Sequence, residues 1–508
     1  MSLSLLLDMA VSGYGDQLAL GMLGEALTFA DLGRQAGGGA TVIAQHEPAH
    51  VVFLGRNGPG YPQVMFSAAM AGVPFVPLNY RLSRDHIHDL LGELENSLII
   101  ADVDYLHLLH EHDADVMSTD DFLAAAATAT PSDAVFTDGA ATAVLLFTSG
   151  TTAKPKAVIL RHENLTSYIF STVEFGSASD DEVALVAVPP YHVAAVGSAL
   201  SNLYSGRRVV YLPDFDAQAW LTLVRDEGVT SAMVVPTMLS RIVDLVGDGP
   251  AETPTLRTIS YGGARLSQPV LERALRAFPG TSFVNAYGLT ETSSTIALLD
   301  PEDHRNALAS EDPIVRARLS SIGRPVPGIE IQIRDESGSE VAIGQAGALW
   351  VRGAQVSGEY RGQGSALDGD GWFHTRDLCR SDAEGYLFIE GRADDTIIRG
   401  GENIAPAEIE DVLIHHGAVK DVAVVGIPDE EWGERICAVI VREPGAEPNP
   451  EELRAFVRER IRGSRTPDEI VWRSELPHTP TGKLLRRELV AELTEANAVT
   501  ATLETQES

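Results

Sequence analysis

From about residue 26 to residue 120 the chain alternates short apolar runs, 50-HVVFLG-55 and 97-SLIIAD-102, with stretches of helical spacing, 63-QVMFSAAMAG-72 and 84-RDHIHDLLGEL-94. Strand, helix, strand in that rhythm constrains a chain to βαβ units around a parallel sheet. The rhythm returns between 183 and 300, with apolar runs at 183-VALVAV-188, 208-RVVYL-212, 231-SAMVVP-236 and 257-RTISYGG-263, and predicts a second α/β layer system. Between the two, 124-AAAATATPSD-133 reads as a surface connection. From 320 to 390 the texture changes to short runs spaced by Gly and Asp (329-IEIQIRD-335, 348-ALWVRG-353, 386-YLFIEG-391), which predicts an antiparallel barrel or sheet.

After Gly391 it changes again. Pro406 is placed to open a helix carrying Ile409, Val412 and Leu413 on one face, with Gly417 as its C′ residue. Asn449 as N-cap, Pro450 and Glu452 open a second, carrying Leu453, Phe456, Val457 and Ile461. The runs 421-DVAVVGI-427 and 436-ICAVIV-441 between them are strands, and 495-EANAVTATLETQES-508 reads as a disordered tail. The expected fold is therefore α/β: residues 1–392 form a large N-terminal domain of two α/β sheet layers plus a small β-barrel-like subdomain, and 393–508 form a small α/β C-terminal domain.

A chain of 508 residues exceeds what one core sustains, and 44% hydrophobic content supplies several. With 38 Lys+Arg against 72 Asp+Glu the net charge is −34, which opposes general binding to nucleic acid or anionic membranes. The N-terminal MSLSLLLDMAVSGYG lacks a basic leader and carries Asp8, and the most apolar stretch, 64–78, is broken by Gly72, Pro74 and Pro77; neither a signal peptide nor stable membrane insertion is expected, and the location is cytoplasmic. Cys379 and Cys437 stand far apart and read as core residues. His107, His110, His112 and Asp113 read as surface residues with no second ligand set.

Against that acidic background, 147-FTSGTTAKPKAV-158 gathers hydroxyls, a glycine and two lysines directly after the strand-like run 142-TAVLLF-147, with a helical stretch at 163–173 beyond it. Alone it would be a polar turn. Strand, loop and helix in that order is, however, a way to present N–H groups and hydroxyls to an anion, with Gly150 allowing close approach and Lys154 and Lys156 supplying charge. No Walker A phosphate loop exists in the chain; its one Gly-Lys pair, Gly482-Lys483, is followed by Leu.

Five further stretches follow it: 190-PYHVAAVG-197, 261-YGGARL-266, 285-NAYGLTET-292, 371-GWFHTRDL-378 with 391-GRADDTIIRGGENIAPAEIE-410, and 479-TPTGK-483. In that order, from 26-ALTFADL-32 to Lys483, the set resembles the adenylate-forming superfamily: acyl- and aryl-CoA ligases, peptide-synthetase adenylation domains and firefly-type luciferases. The resemblance implies the fold above with a mobile small domain, and an ATP-dependent ligase that turns a carboxylic acid into acyl-AMP and then acyl-CoA. It implies that Thr148, Ser149, Gly150, Thr151, Thr152 and Lys156 wrap the phosphates. By the same resemblance Tyr287 would lie near adenine, with Ala286 and Gly288 beside it, and Thr290 beside the α-phosphate. Glu291, with Thr151, would hold Mg²⁺. Gly262, Gly263 and Ala264 look like the strand end against which adenine and acyl group pack. Asp377 resembles the carboxylate that accepts the ribose hydroxyls, Arg392 would hold ribose or phosphate, and Lys483 looks like the lysine that reaches the reacting carboxylate. His192 is implied as a substrate-pocket histidine, with a core histidine as its alternative, and the apolar Val193, Ala194, Ala195, Val196 and Gly197 after it point to a hydrophobic acid. Asp394 matches the hinge acid, with Asp395 as alternative. Arg399, Gly400 and Gly401 line the way in for coenzyme A.

Three positions depart from the family pattern: Ala153, Ala157 and Arg376 stand where glycines are usual. A side chain at 153 or 376 is strained if φ there is positive. The competing readings are an adenylation enzyme that loads the phosphopantetheine of a carrier protein and, because of Ala153 and Arg376, a non-catalytic nucleotide-binding relative. A homodimer is compatible with the sequence, which does not select the acid.

Overall fold

The computed structural model describes residues 1–110, 114–148, 155–429, 432–479 and 483–495. Both α/β layer systems are there. The first is a nine-stranded sheet whose parallel centre runs Ser282–Leu289, Thr258–Gly262, Ser231–Val234, Val183–Val186, Arg208–Tyr211, Leu18–Leu20. The second is an eight-stranded sheet with the parallel centre Thr142–Thr148, Phe75–Pro77, His50–Leu54, Ser97–Ala101, Asp115–Ser118. Antiparallel strands finish both edges of the first sheet and one edge of the second, whose other edge is the parallel Asp115–Ser118. Central strands such as Ser97–Ala101 and Val183–Val186 are buried along their whole length, which is why they read as unbroken apolar runs. The helix Gly60–Ala71 is likewise buried nearly all round. One core cluster takes Val51, Phe53 and Phe75 from the second sheet and Val183, Val209 and Ile259 from the first, so the two layers close on each other.

The stretch from 320 to 392 takes the sheet form of its two expected alternatives: Glu330–Arg334, Gly347–Arg352, Phe373–Ser381 and Leu387–Arg392 pair antiparallel over a separate core. The smaller C-terminal domain is built on Gly433–Arg442, which pairs antiparallel with Val419–Asp429 and Ile397–Arg399 and parallel with Glu469–Arg473. Period-two alternation sorts its strands: Val422 and Val424 face the helices Pro406–Leu413 and Pro450–Arg458, while Ala423 and Val425 face Leu476, Leu489 and Leu493. Asn449 caps the second helix by accepting the Glu451 N–H. Cys379 and Cys437 are free and buried. Among the described residues no helix is long and apolar enough to cross a membrane.

Four local expectations are corrected. The strand Thr142–Thr148 is not followed directly by a helix: Lys156–Arg161 pairs antiparallel with it, and the helix His162–Thr172 starts only after that second strand. KAVILR at 156–161 puts its apolar residues where that strand is buried, and the sheet edge captures it. Residues 124–128 are not a loop but the end of the helix Thr119–Thr128, opened by Ser118 as N-cap and anchored by Phe122 and Ala126. The helix from Pro406 ends at Leu413, with Ile414 rather than Gly417 closing it. The helix from Pro450 ends at Arg458, leaving Ile461 outside. The expected tail lies outside the described residues from 496 onward.

Candidate active site

The carboxyl end of Ser282–Leu289 carries the densest group of chemistry-bearing side chains. Tyr287 lies on that strand, and Thr290 and Glu291 form a tight turn just beyond it. Gly262, on the neighbouring strand, could not carry a Cβ, which would sit 2.2 Å from the Ala286 carbonyl oxygen; Gly263 follows with φ +83°. Gly288 is equally constrained, its Cβ position falling 1.8 Å from the Ser294 carbonyl oxygen. These glycines are required by close backbone approach, and Ala264 follows as a half-buried small residue.

Asp377 meets this strand end from the third sheet. The Tyr287 hydroxyl donates to its Oδ2, and Arg392, its register partner on the adjacent strand, places Nε 3.3 Å from Oδ1. The Asp377 side chain is only 7% exposed. Burial pushes its carboxyl above the usual carboxylate range, while Arg392, the Tyr287 hydrogen bond and Lys483 hold it down. Burial beside Asp377 drives the Tyr287 phenol well up, so it stays a donor. Arg392 also donates to the Thr375 carbonyl at 3.0 Å.

Glu291 forms the opposite end. Its Oε1 accepts from the Tyr360 hydroxyl at 2.8 Å, and Lys156 Nζ lies 5.4 Å from the Tyr360 ring centroid. The Glu291 carbonyl accepts N–H groups of Ser357 and Gly358 at 2.9 and 3.0 Å, which fixes the segment leading to Tyr360. Tyr360 is thus the link between Lys156 and Glu291, and sequence reasoning missed it: it lies in a two-residue strand, Glu359–Tyr360, with no periodicity to read. Thr148 donates to the Lys156 carbonyl at 3.4 Å across the hairpin. Ser149, Gly150, Thr151 and Thr152, with Ala153 and Lys154, lie outside the described residues. Among the described residues the Glu291 carboxylate accepts only at Oε1, and its other oxygen would suit Mg²⁺, which takes one or two protein carboxylates and otherwise substrate phosphate and water. Among the described residues no group of three or more His, Cys, Asp or Glu side chains is placed to hold a metal ion; His112 and Asp113 lie outside the described residues.

Lys483 reaches the same place from the small domain. It keeps a solvent-exposed face, yet protein crowds its ammonium enough to lower its pKa; Arg392 adds to the lowering, and Asp395, Asp377 and Glu291 oppose it. Its N–H donates to Thr479 Oγ1 at 3.0 Å. Three residues on, Arg486 grips Glu410 at 2.6 and 2.9 Å and places Nε 3.5 Å from Asp395, tying the lysine's segment to the 392–395 connection. Arg265, just past the Gly262–Ala264 strand end, ion-pairs with Asp411 on the helix Pro406–Leu413. Neither Arg486 nor Arg265 was legible as part of the site.

Two groups of expected residues stand apart. Arg399 is engaged inside the small domain, 2.8 Å from Asp468 and over the Trp432 ring at 4.7 Å, with Gly400 and Gly401 beside it at positive φ. His192 precedes the helix Val193–Ser205 and packs on Tyr191; its Nε2 is buried without a partner, and burial lowers its pKa to about 4, so it is neutral at pH 7. Of the unusual non-glycines, Ala157 sits in regular strand pairing with Phe147 and costs nothing. Arg376 has φ +65°, a conformation that costs an L residue roughly 1–2 kcal/mol. Its Nη1 lies 3.7 Å from Asp394 Oδ2.

Residues 7–361 match the AMP-binding enzyme family, and residues 408–483 match the AMP-binding enzyme C-terminal domain. The chain is 32% identical to a fatty acid–[acyl-carrier-protein] ligase, ScoC, of Streptomyces coeruleorubidus, over 92% of this chain and 91% of that protein. It is 33% identical to a feruloyl-CoA synthase of an Amycolatopsis species, over 92% and 94%. Its fold superposes with a TM-score of 0.82 on o-succinylbenzoate CoA synthetase of Bacillus subtilis in complex with its acyl-adenylate intermediate, at 27% identity, covering 95% of this chain and 97% of that one. By these matches the chain belongs to the AMP-binding enzymes of the adenylate-forming superfamily, among the AMP-forming acid–thiol ligases, the acyl-CoA synthetases.

Proposed function

We propose that this chain condenses a hydrophobic carboxylic acid with coenzyme A in two half-reactions on one site. In the first, a carboxylate oxygen attacks the α-phosphorus of ATP, the bond to the bridging oxygen of pyrophosphate breaks, and acyl-AMP forms. In the second, the coenzyme A sulfur attacks the acyl carbon, the thiol proton passes to solvent, and AMP leaves with the bonding electrons. Asp377 accepts the ribose hydroxyls, exchanging its Tyr287 partner for them or sharing it, while Tyr287 lies along the adenine with Ala286, Gly288 and the Gly262–Ala264 strand end. Thr290 lies beside the α-phosphate, and Thr148, Ser149, Gly150, Thr151, Thr152 and Lys156 surround the polyphosphate. Glu291 with Thr151 would hold Mg²⁺, which spreads the phosphate charge when bound. Arg392 steadies the ribose side, and Lys483 stabilises charge that grows between carboxylate and α-phosphate.

The observation that carries the reading is the arrival of Lys483, from the small domain, within electrostatic reach of both Asp377 and Glu291. A neutral His192 with an unpaired Nε2, followed by Val193 and Ala194, suits an acid whose carboxylate is met by a polar atom and whose body is apolar. The fatty acid and ferulate named for the relatives fit that class. Cytoplasmic action and a place in fatty-acid or lipid metabolism accompany it.

One arrangement cannot serve both steps, because a thiol must enter where Lys483 stands. We therefore divide the chain at 392/393 and assign Asp394 as the hinge, whose rotation would bring Arg399, Gly400 and Gly401 from the small domain's outside to the pantetheine path. A second reading, transfer to a carrier-protein phosphopantetheine, is favoured by the relative named as an acyl-carrier-protein ligase. The test is a panel of aliphatic, aromatic and alicyclic acids assayed for pyrophosphate release with and without coenzyme A. The reading expects acid-dependent pyrophosphate and AMP, with multiple turnover on adding coenzyme A. Turnover with a holo-carrier protein alone would favour the second reading, and ATP binding without pyrophosphate from any acid would favour a non-catalytic protein.

A further inference from the structure

Arg376, directly before Asp377, holds a left-handed φ. Left-handed φ at a long side chain is an outlier that needs a compensating contact, and the residues around it show what the position commands. His374 stacks on Trp350 at 4.8 Å, and Asp377 is the buried carboxylate of the cluster. Turned aside at φ +65°, the Arg376 guanidinium faces Asp394, the residue two past the end of the strand Leu387–Arg392. Arg376 belongs to the third sheet and Asp394 to the connection into the small domain, so the pair spans the two domains at their covalent joint. A second ion pair, Arg265 with Asp411, spans them at the surface.

We propose that Arg376 is a positioning residue: by pairing with Asp394 it holds the connection in the setting that points Lys483 at Glu291 and Asp377, and so biases the enzyme towards its first half-reaction. The inference rests on Asp394 being the hinge. A swing that includes φ of Asp394 turns its Cβ, and with it the carboxylate, away from a partner fixed in the sheet, whereas ψ alone would leave them together; the catch therefore assigns the swing to φ, so that the pair exists in one arrangement and not in the other. Both side chains are about half exposed, at 52% and 49%, which makes the bias small and sensitive to salt. A weak catch suits a step that must be released in every cycle. Arg376 also lies near enough to Tyr360 for its charge to act on that phenol, and this makes direct contact with nucleotide phosphate the competing role.

The test measures single-turnover pyrophosphate formation from acid and ATP, and thioester formation from preformed acyl-AMP and coenzyme A, in Arg376→Gly, Arg376→Asn, Asp394→Asn and the double variants. Asn tolerates left-handed φ and guards against effects of glycine flexibility. Each single variant should raise the ratio of thioester to adenylation rate about two- to fivefold, the double variants should shift it no further, and Arg376→Lys should retain most of the wild-type ratio. High salt should move the wild type the same way and the variants less, since only the Arg265–Asp411 pair is left in them to screen, with the KM for ATP unchanged throughout. An unmoved ratio, or additive shifts, overturns the catch, and a raised KM for ATP with an unmoved ratio makes Arg376 a nucleotide contact instead. If Asp394→Pro also leaves thioester formation undiminished, the hinge itself is wrong and the catch falls with it; if that variant blocks the step while the cycle shows no coupling, the catch alone is lost.

Discussion

The two ends of this site are built in opposite ways. Around Asp377 the parts interlock: Arg392 and Thr375 come from paired strands of one sheet and Tyr287 from another sheet of the large domain, and the carboxylate is buried among them. Around Lys483 the parts merely meet: the lysine is exposed on one side, and the ties between domains are half-exposed ion pairs, Arg265 with Asp411 and Arg376 with Asp394. Buried charge networks are expensive to disturb, whereas exposed pairs are worth at most about 1 kcal/mol each. On the proposed reading, the difference teaches that ribose recognition would be fixed by the fold, while the charge that assists the reaction would be delivered by a part that can leave.

The sharpest way to break the comparison is Lys483→Ala. It should slow single-turnover adenylation by about 10²-fold or more while sparing thioester formation from supplied acyl-AMP. An equal loss in both half-reactions would make Lys483 part of the fixed machinery. Asp377→Asn should raise the KM for ATP by roughly 10- to 100-fold through loss of charge-assisted hydrogen bonds, affecting both steps because both hold an adenosine. Tyr360→Phe, which removes the hydroxyl from Glu291 but keeps the ring under Lys156, should slow adenylation about fivefold. A rate unchanged in that variant would mean Tyr360 only fills space.

A smaller effect is set by pH. Lys483 acts in its charged form, and crowding lowers its pKa, so proton loss weakens the free enzyme at a lower pH than free lysine would. The alkaline limb of kcat/KM should therefore fall below about 10.4 and move up in Lys483→Arg. An unshifted limb in that variant would assign it to another group.

How much of this was legible in the sequence follows the same division. The parallel strands announced themselves because burial on both faces demands unbroken apolar runs, and the small domain's strands because alternation sorts Val422 and Val424 from Ala423 and Val425. Asp377, Glu291 and Lys483 are singled out by motifs read in order, and the fold brings them within electrostatic reach of one another. The hairpin strand Lys156–Arg161 was not, since its pairing partner lies across a loop and a polar KAVILR end resembles a turn. Tyr360, Arg265 and Arg486 escaped because each matters through a partner distant in sequence: Glu291, Asp411 and Asp395. Arg376 was visible as a departure, but that its φ is +65° and its partner is Asp394 required the fold.

The most direct measurement is single-turnover kinetics of both half-reactions in Asp394→Pro, which fixes φ near −65° at the joint between the fixed and the movable halves. Pyrophosphate release from acid and ATP should remain close to wild type while transfer to coenzyme A slows greatly. Thioester formation at the wild-type rate would contradict an enzyme whose second step depends on rotation about that residue.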